Sequence, residues 1–318
     1  MRRAAALVLT SCLAGATLVM ASAPERAAQE PAFRVSTDLV TVDVLVFRGR
    51  EPVQGLTASD FELTDNGVRQ TVTSINVPGG AHVIAVLDTS ASVAGDVLQR
   101  LTEAVEALLV RLTDEDRVSV VTFGDRVRLL QRAARPASAL DVVRQGLTAA
   151  GGTALHDALL LGSALAAADG RPAVMVAFTD GADTVSWTTA PHVLRVLQAS
   201  NVVVFPVGAG LVDLPVSAAR LQPSLYLSSP TWLGPDAGDA SRLLERAARV
   251  SGGSFIRVGR PDALARTFTE IIDRYRSRYV LSYTPTGVGR DDGWHRIEVK
   301  LMQQRGTVQA REGYIAGR

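Results

Sequence analysis

HVIAVLDTSAS, residues 82–92, is a run of buried-type side chains that ends in a carboxylate, Asp88, followed by hydroxyls at alternate positions, Ser90 and Ser92. A short apolar run closed by polar turn residues reads as a strand buried on both faces. Asp88 falls where that strand would emerge at its carboxyl end, and open α/β sheets bind their ligands there. A second such run, AVMVAFTD at 173–180, ends in Asp180 and Gly181, so two carboxylates can converge on one edge of one sheet. Between them, Gly151-Gly152-Thr153 is a flexible turn that delivers a hydroxyl at a helix start. Asp88, Ser90, Ser92, Thr153 and Asp180 offer only oxygen donors. That set suits a hard cation, magnesium most readily with manganese or calcium as alternatives, rather than zinc.

The D-x-S-x-S stretch, followed in order by Thr153 and Asp180, resembles the metal-ion-dependent adhesion site of the von Willebrand factor A domain family. The resemblance covers about residues 80 to 280 and implies a doubly wound, mostly parallel α/β sheet flanked by helices, Rossmann-like in layout. It further implies that the two serines and the threonine contact the metal directly or nearly so, and that one or both aspartates act through water. The sixth coordination position would be left to a partner's carboxylate. More loosely, GLTASDFELTDNG (55–67) and the ending AREGYIAGR are similar to the β-rich flanks of the bacterial VWFA-related subgroup.

The chain of 318 residues has room for one large domain and a smaller one, and a hydrophobic share of 47% can fill a core. Lys and Arg number 33 against 32 Asp and Glu, a formal net charge of +1, which gives no nucleic-acid surface. Arg2-Arg3, the apolar stretch after them and Ala21-Ser22-Ala23 read as a signal peptide over 1–23, hence a secreted or periplasmic protein. An uncleaved anchor, or a lipoprotein box at Leu9-Thr10-Ser11-Cys12, would instead tie the chain to a membrane. Cys12 is the single cysteine, so the mature chain would carry neither a disulfide nor a cysteine metal site.

Residues 24–32 read as a linker and 33–78 as a β-rich segment. In it, Val40, Val42, Val44 and Val46 alternate, and strands at 61–63 and 68–75 flank the Asp65-Asn66-Gly67 turn. The A-like domain is expected over 79–278. Its helices fall at 96–112, 138–147, 154–168, 191–199, 240–250 and 262–276, and further strands at 117–123, 126–130, 201–208 and 254–258. A long connection, 211–238, leaves the carboxyl end of a strand. From 279 to 314 the alternation returns, clearest at Ile297, Val299 and Leu301, and these strands are expected to join the amino-terminal ones in one composite β module.

The function expected from these features is capture of a protein partner's Asp or Glu carboxylate on a divalent cation, not turnover. The alternatives are a hydrolase, drawn with the same metal or with Ser90, His156 and Asp180, and a structural module whose site stays empty. Ser90 stands where a haloacid-dehalogenase-type phosphatase needs its second aspartate, and neither G-x-S-x-G nor a P-loop occurs. His156 reads as a packing or rim residue. Trp187, Tyr226 and Trp232 lie in loops on the metal's side of the sheet and are candidate partner contacts.

Overall fold

The computed structural model describes residues 39–49, 51–76, 79–209, 237–289, 293–302 and 305–316. The signal-peptide, lipoprotein and linker expectations lie outside them, as does most of the 211–238 connection, with Tyr226 and Trp232. In chain order the strands begin with β1 (Val40–Arg48), β2 (Glu51–Pro52), β3 (Phe61–Asp65), β4 (Val68–Gln70), β5 (Ser74–Asn76) and β6 (His82–Asp88). Helix α1 (Asp96–Val110), strands β7 (Arg117–Phe123) and β8 (Val127–Ala134), and helices α2 (Pro136–Arg144) and α3 (Leu155–Asp169) follow. Then come β9 (Ala173–Thr179), α4 (Ala190–Ala199), β10 (Val202–Ala209), α5 (Ala237–Ser251), β11 (Ile256–Val258) and α6 (Leu264–Arg276). The chain closes with β12 (Tyr279–Tyr283), β13 (Trp294–Leu301), β14 (Thr307–Ala310) and β15 (Gly313–Ile315). Among the described residues no helix is long and apolar enough to cross a membrane.

Six strands form the central sheet in the order β11-β10-β9-β6-β7-β8, parallel except for the edge strand β8. Successive side chains along a strand point to opposite faces, and the two faces are sealed by different helices. Val83, Ala85 and Leu87 of β6 join Val174, Val176 and Phe178 of β9 under α1 and α6, with Leu101, Val105, Phe268 and Ile272 closing the layer. Ile84 and Val86 join Met175 and Ala177 under α3, α4 and α5, through Leu159, Val193 and Leu244. All seven residues of β6 and of β9 are buried, as a parallel strand covered on both sides requires.

The strands outside this sheet form two antiparallel sheets that share one core. One runs β14-β1-β12-β5, with β2 added to β1; the other runs β15-β13-β3-β4. The 68–75 strand expected from sequence is therefore broken: β4 pairs with β3, whereas β5 pairs with β12. Thr73 makes the crossing, its amide and hydroxyl both donating to Ser282 O (2.8 and 2.9 Å). Strand β1 serves two cores. Val42, Val44 and Val46 pack with Leu63, Tyr279 and Leu281, while Leu45 and Phe47 face the α1 and α6 layer. Buried Arg278, just after α6, donates through Nε to Asp43 Oδ1 of β1 at 2.8 Å and stacks on Tyr275, its guanidinium carbon 3.6 Å from the ring centroid.

His82 opens β6 at 1% exposure, with Nε2 2.8 Å from Ser119 Oγ, a hydroxyl that also accepts from the Ala133 amide. Burial holds its imidazole below the ordinary value; Asp169 opposes that shift and Arg171 adds to it. The folded protein therefore keeps His82 neutral at a pH where the unfolded chain protonates it. Its contribution is full above the unfolded value of about 6.5 and is lost as pH falls below that. Urea titrations from pH 7.5 to 5 should show stability declining on acidification, and His82→Gln should flatten that decline. Equal slopes for the two proteins would remove His82 as the cause.

Candidate metal centre

Strand β6 ends at Asp88, which is wholly buried. Its Oδ1 accepts the Ser90 amide at 2.9 Å, and its Oδ2 accepts the Thr179 hydroxyl, the last residue of β9, at 2.6 Å. Ser90 and Ser92 share a hydroxyl contact of 3.0 Å, and Ser92 Oγ donates to Asp180 Oδ1 at 2.9 Å. A continuous polar chain thus joins Asp88 to Asp180 across residues 92 positions apart in sequence. Four of the five residues expected from sequence are linked in this way.

The fifth, Thr153, is brought to the same loop cluster by backbone bonds. Ala150 N donates to Thr89 O at 2.9 Å and Ala91 N to Gly151 O at 3.0 Å, which holds the 150–153 turn against the D-x-S-x-S loop. Thr153 itself is buried and its amide donates to Thr184 Oγ1 at 2.8 Å. Gly151 adopts φ +76°, and a Cβ there would run into the Asp125 carboxyl, so the turn closes only with glycine.

Burial pushes the Asp88 carboxyl up to about 6 against the hydrogen bonds of Ser90 and Thr179, and the nearby Asp180 charge pushes the same way. Asp180 is also raised, again chiefly by burial, with the Ser92 hydrogen bond opposing. No Lys, Arg or His side chain stands against either carboxylate among the described residues. Nor do those residues contain a group of three or more His, Cys, Asp or Glu able to hold a metal. Two acids with converging neutral hydroxyls and no counter-charge fit a hard, oxygen-seeking divalent ion.

Thr179 was inside the quoted apolar run but had no assigned role; a hydroxyl at the last position of the strand, just before the acid, was its only signal. Asp157 was missed as well. It takes the amides of Trp187 and Thr188 on its two carboxylate oxygens, each at 3.0 Å. Asp183 receives the His156 amide at 2.9 Å and the Ser186 amide at 3.1 Å. The loop so clamped presents Trp187 at 97% exposure. His156 Nδ1 lies 2.9 Å from Thr188 O and 3.7 Å from Asp183 Oδ2, contacts that do not draw it into a relay with Ser90 and Asp180.

A doubly wound α/β domain with an oxygen-donor site at the carboxyl edge of its sheet is what the fold and this geometry define. Residues 82–221 match the family model of the von Willebrand factor type A domain, and this segment is a domain of that family. Such domains commonly bind a divalent cation at a metal-ion-dependent adhesion site. Among solved structures, proximal thread matrix protein 1 from the mussel byssus aligns with a TM-score of 0.50 at 16% identity, over 70% of this chain and 51% of that one. Another form of that mussel protein has its MIDAS motif occupied by zinc (TM-score 0.48, 17% identity, 66% and 49% coverage). A von Willebrand factor type A protein from Catenulispora acidiphila aligns over 86% of this chain and 76% of its own, with 16% identity and a TM-score of 0.49. In sequence, an uncharacterized Synechocystis protein is 34% identical over 83 residues, 26% of this chain and 20% of that protein. The chain thus spans about half of the mussel structures and a fifth of the cyanobacterial relative.

Asp88→Asn tests the electrostatics directly. An Asn keeps an oxygen for the Ser90 amide and can donate to Thr179 Oγ1, whose proton is then free for Gly181 O, already 3.1 Å away. In chelator the variant should melt no lower than the wild type, and up to about 2–4 °C higher, because a buried acid that no cation faces among the described residues is gone. With magnesium the order should reverse, since only the wild type gains stability from the ion. A variant that melts well below wild type in chelator would show that Asp88 is held by the fold, not poised for a cation.

Proposed function

We infer that this is an exported protein that holds a divalent cation, magnesium most readily, through Asp88, Ser90, Ser92, Thr153 and Asp180, and uses it to capture an Asp or Glu carboxylate of a protein partner. The observation that carries the reading is the pair of carboxylates joined through the Ser90–Ser92 hydroxyls with, among the described residues, no side-chain cation beside them. A bound ion supplies the positive centre to which an outside carboxylate is drawn. The three hydroxyl donors are neutral, and with one or both aspartates acting through water the ion keeps much of its positive charge for an outside carboxylate. Ser90 and Ser92 are fixed by the Asp88 and Asp180 hydrogen bonds, so the donors are arranged before any partner arrives.

Selectivity needs more than one carboxylate, and Trp187 supports a role in it. A tryptophan exposed to 97% buries nothing in the free protein, yet Asp157 pins the backbone on which it stands. Rigid aromatic anchors of this kind often dominate binding at interfaces. The reading of a catalytic Ser90, His156 and Asp180 set is not favoured, because His156 is engaged with Thr188 O and faces Asp183.

Affinity capture from an envelope fraction, with and without chelator, tests the proposal. A specific partner should be retained with magnesium and released by chelator, and Asp180→Ala should lose both the ion and the partner. Trp187→Ala should weaken the partner about tenfold or more, at about 2 kcal/mol for an anchoring aromatic, while magnesium affinity by calorimetry stays unchanged. Capture that persists in chelator would overturn the metal-dependent mode. A Trp187→Ala variant that binds the partner normally would remove the aromatic contact.

A further inference from the structure

A second concave site shares a wall with the metal loop. A cavity of about 460 Å³ opens between the start of β8 and the 146–150 turn, and Thr89, the residue between Asp88 and Ser90, lines it. Arg126 and Arg128 line the same cavity together with Thr122, Leu130 and Leu147. Both arginines are exposed, and among the described residues no carboxylate pairs with either guanidinium. The one acid in the lining, Asp125, is turned to the Gly152 amide, which donates to its Oδ1.

The sequence around the cavity is biased in the same direction. From Gly124 to Leu130, the stretch that lines it, there are two arginines (126 and 128) and one aspartate, in a chain whose net charge is only +1. Unpaired guanidinium groups beside hydroxyls form a receptor for carboxylate, since Arg presents a fork of donors that matches it. Leu130 and Leu147 add an apolar wall that suits the methylenes of a glutamate. The β7–β8 turn lies at the same sheet edge as Asp88, because Asp88 and Phe123 are register partners. One extended segment can therefore lie across both sites.

The geometry points to a second carboxylate subsite: the cavity at Arg126 and Arg128 takes another acidic side chain of the same partner segment whose first carboxylate reaches the metal site. The partner's recognition segment is thus an acidic stretch carrying two acids a few residues apart. This rests on the carboxylate-capturing reading of the metal site. Two arginines at one cavity in an otherwise balanced chain favour a short acidic peptide over a long polyanion, whose binding would need a broader basic surface.

Fluorescence polarisation on the full chain with magnesium can test it, using labelled Gly/Ser dodecapeptides with one Asp or with that Asp plus a Glu two to six residues away. At least one diacid spacing should bind about three- to tenfold more tightly than the single-acid peptide, and the gain should shrink with added salt. The double variant R126A/R128A should erase the gain while leaving single-acid binding unchanged. A diacid series that gains nothing at any spacing, or a gain that survives in the double variant, overturns the subsite. Single-acid binding that persists in chelator marks failure of the metal reading instead. A diacid gain that persists in chelator and vanishes in the double variant would still support the subsite.

Discussion

A carboxylate buried at the end of a fully buried strand is the constraint on which the site and its neighbourhood depend. Asp88 has no exposed surface, and an isolated buried charge is costly enough to titrate or to recruit partners. Here the partners are an amide and the Thr179 hydroxyl, none of them cationic. Each lies where the parallel sheet dictates. Asp88 and Thr179 end adjacent strands, and the Ser90 amide turns back because the chain must leave the sheet. The compensation that remains missing is positive charge, which is why the cluster makes physical sense as a cation site and poor sense as a stabilising core feature.

Everything behind that edge is built to hold it still. The two faces of β6 belong to different cores, so moving the strand end would disturb packing under α1 and α6 on one side and α3, α4 and α5 on the other. The flanking strands extend the same logic. Through Leu45 and Phe47, β1 is part of the A-domain core, and Arg278 fastens α6 to Asp43 of β1. Arg311 does the same at the other end: it donates to the carbonyl of Gln198, in the last turn of α4, at 2.8 Å and to Asn201 Oδ1 at 2.7 Å. The terminal β segments are braced against the helices rather than hung beside them.

Much of this was legible in the sequence, and the reason is local. Strands β6 and β9 are buried on both faces, so their composition marks them without knowledge of their neighbours, and the acids that end them mark the site. What was not legible depended on partners. Nothing within residues 68–75 says that β4 and β5 belong to different sheets; the switch appears only when Ser282 of β12 is in place. Strand β8 runs to Ala134 rather than 130 because register shifts against Val118 and Val120 break its alternation, and its exposed edge carries arginines rather than a periodic apolar face. Helix α2 starts at Pro136, two residues before the expected Ser138, because proline suits the first turn, where its missing amide costs nothing. The roles of Asp157 and Asp183 were hidden for the same reason: Asp157 accepts amides of a loop about thirty residues on, and Asp183, in that loop, accepts the His156 amide 27 residues back in α3.

That loop also separates what the fold needs from what it merely carries. A loop tip could lower its free energy by folding Trp187 onto the apolar lining nearby, since burying an aromatic side chain is worth about 1.5–3 kcal/mol. A 520 Å³ cavity lined by Leu155, Pro191, Leu194 and Leu243 opens close to the same loop. Instead, Asp157 spends both carboxylate oxygens on the amides of residues 187 and 188, and Asp183 takes two more amides, at His156 and Ser186, which fixes the backbone with the indole outward. Charge-assisted bonds to four amides are a strong set of restraints for a segment that adds little to the core. Packing alone gives no reason for them. On the proposed reading they hold a rigid aromatic anchor, which loses less conformational entropy when a partner binds.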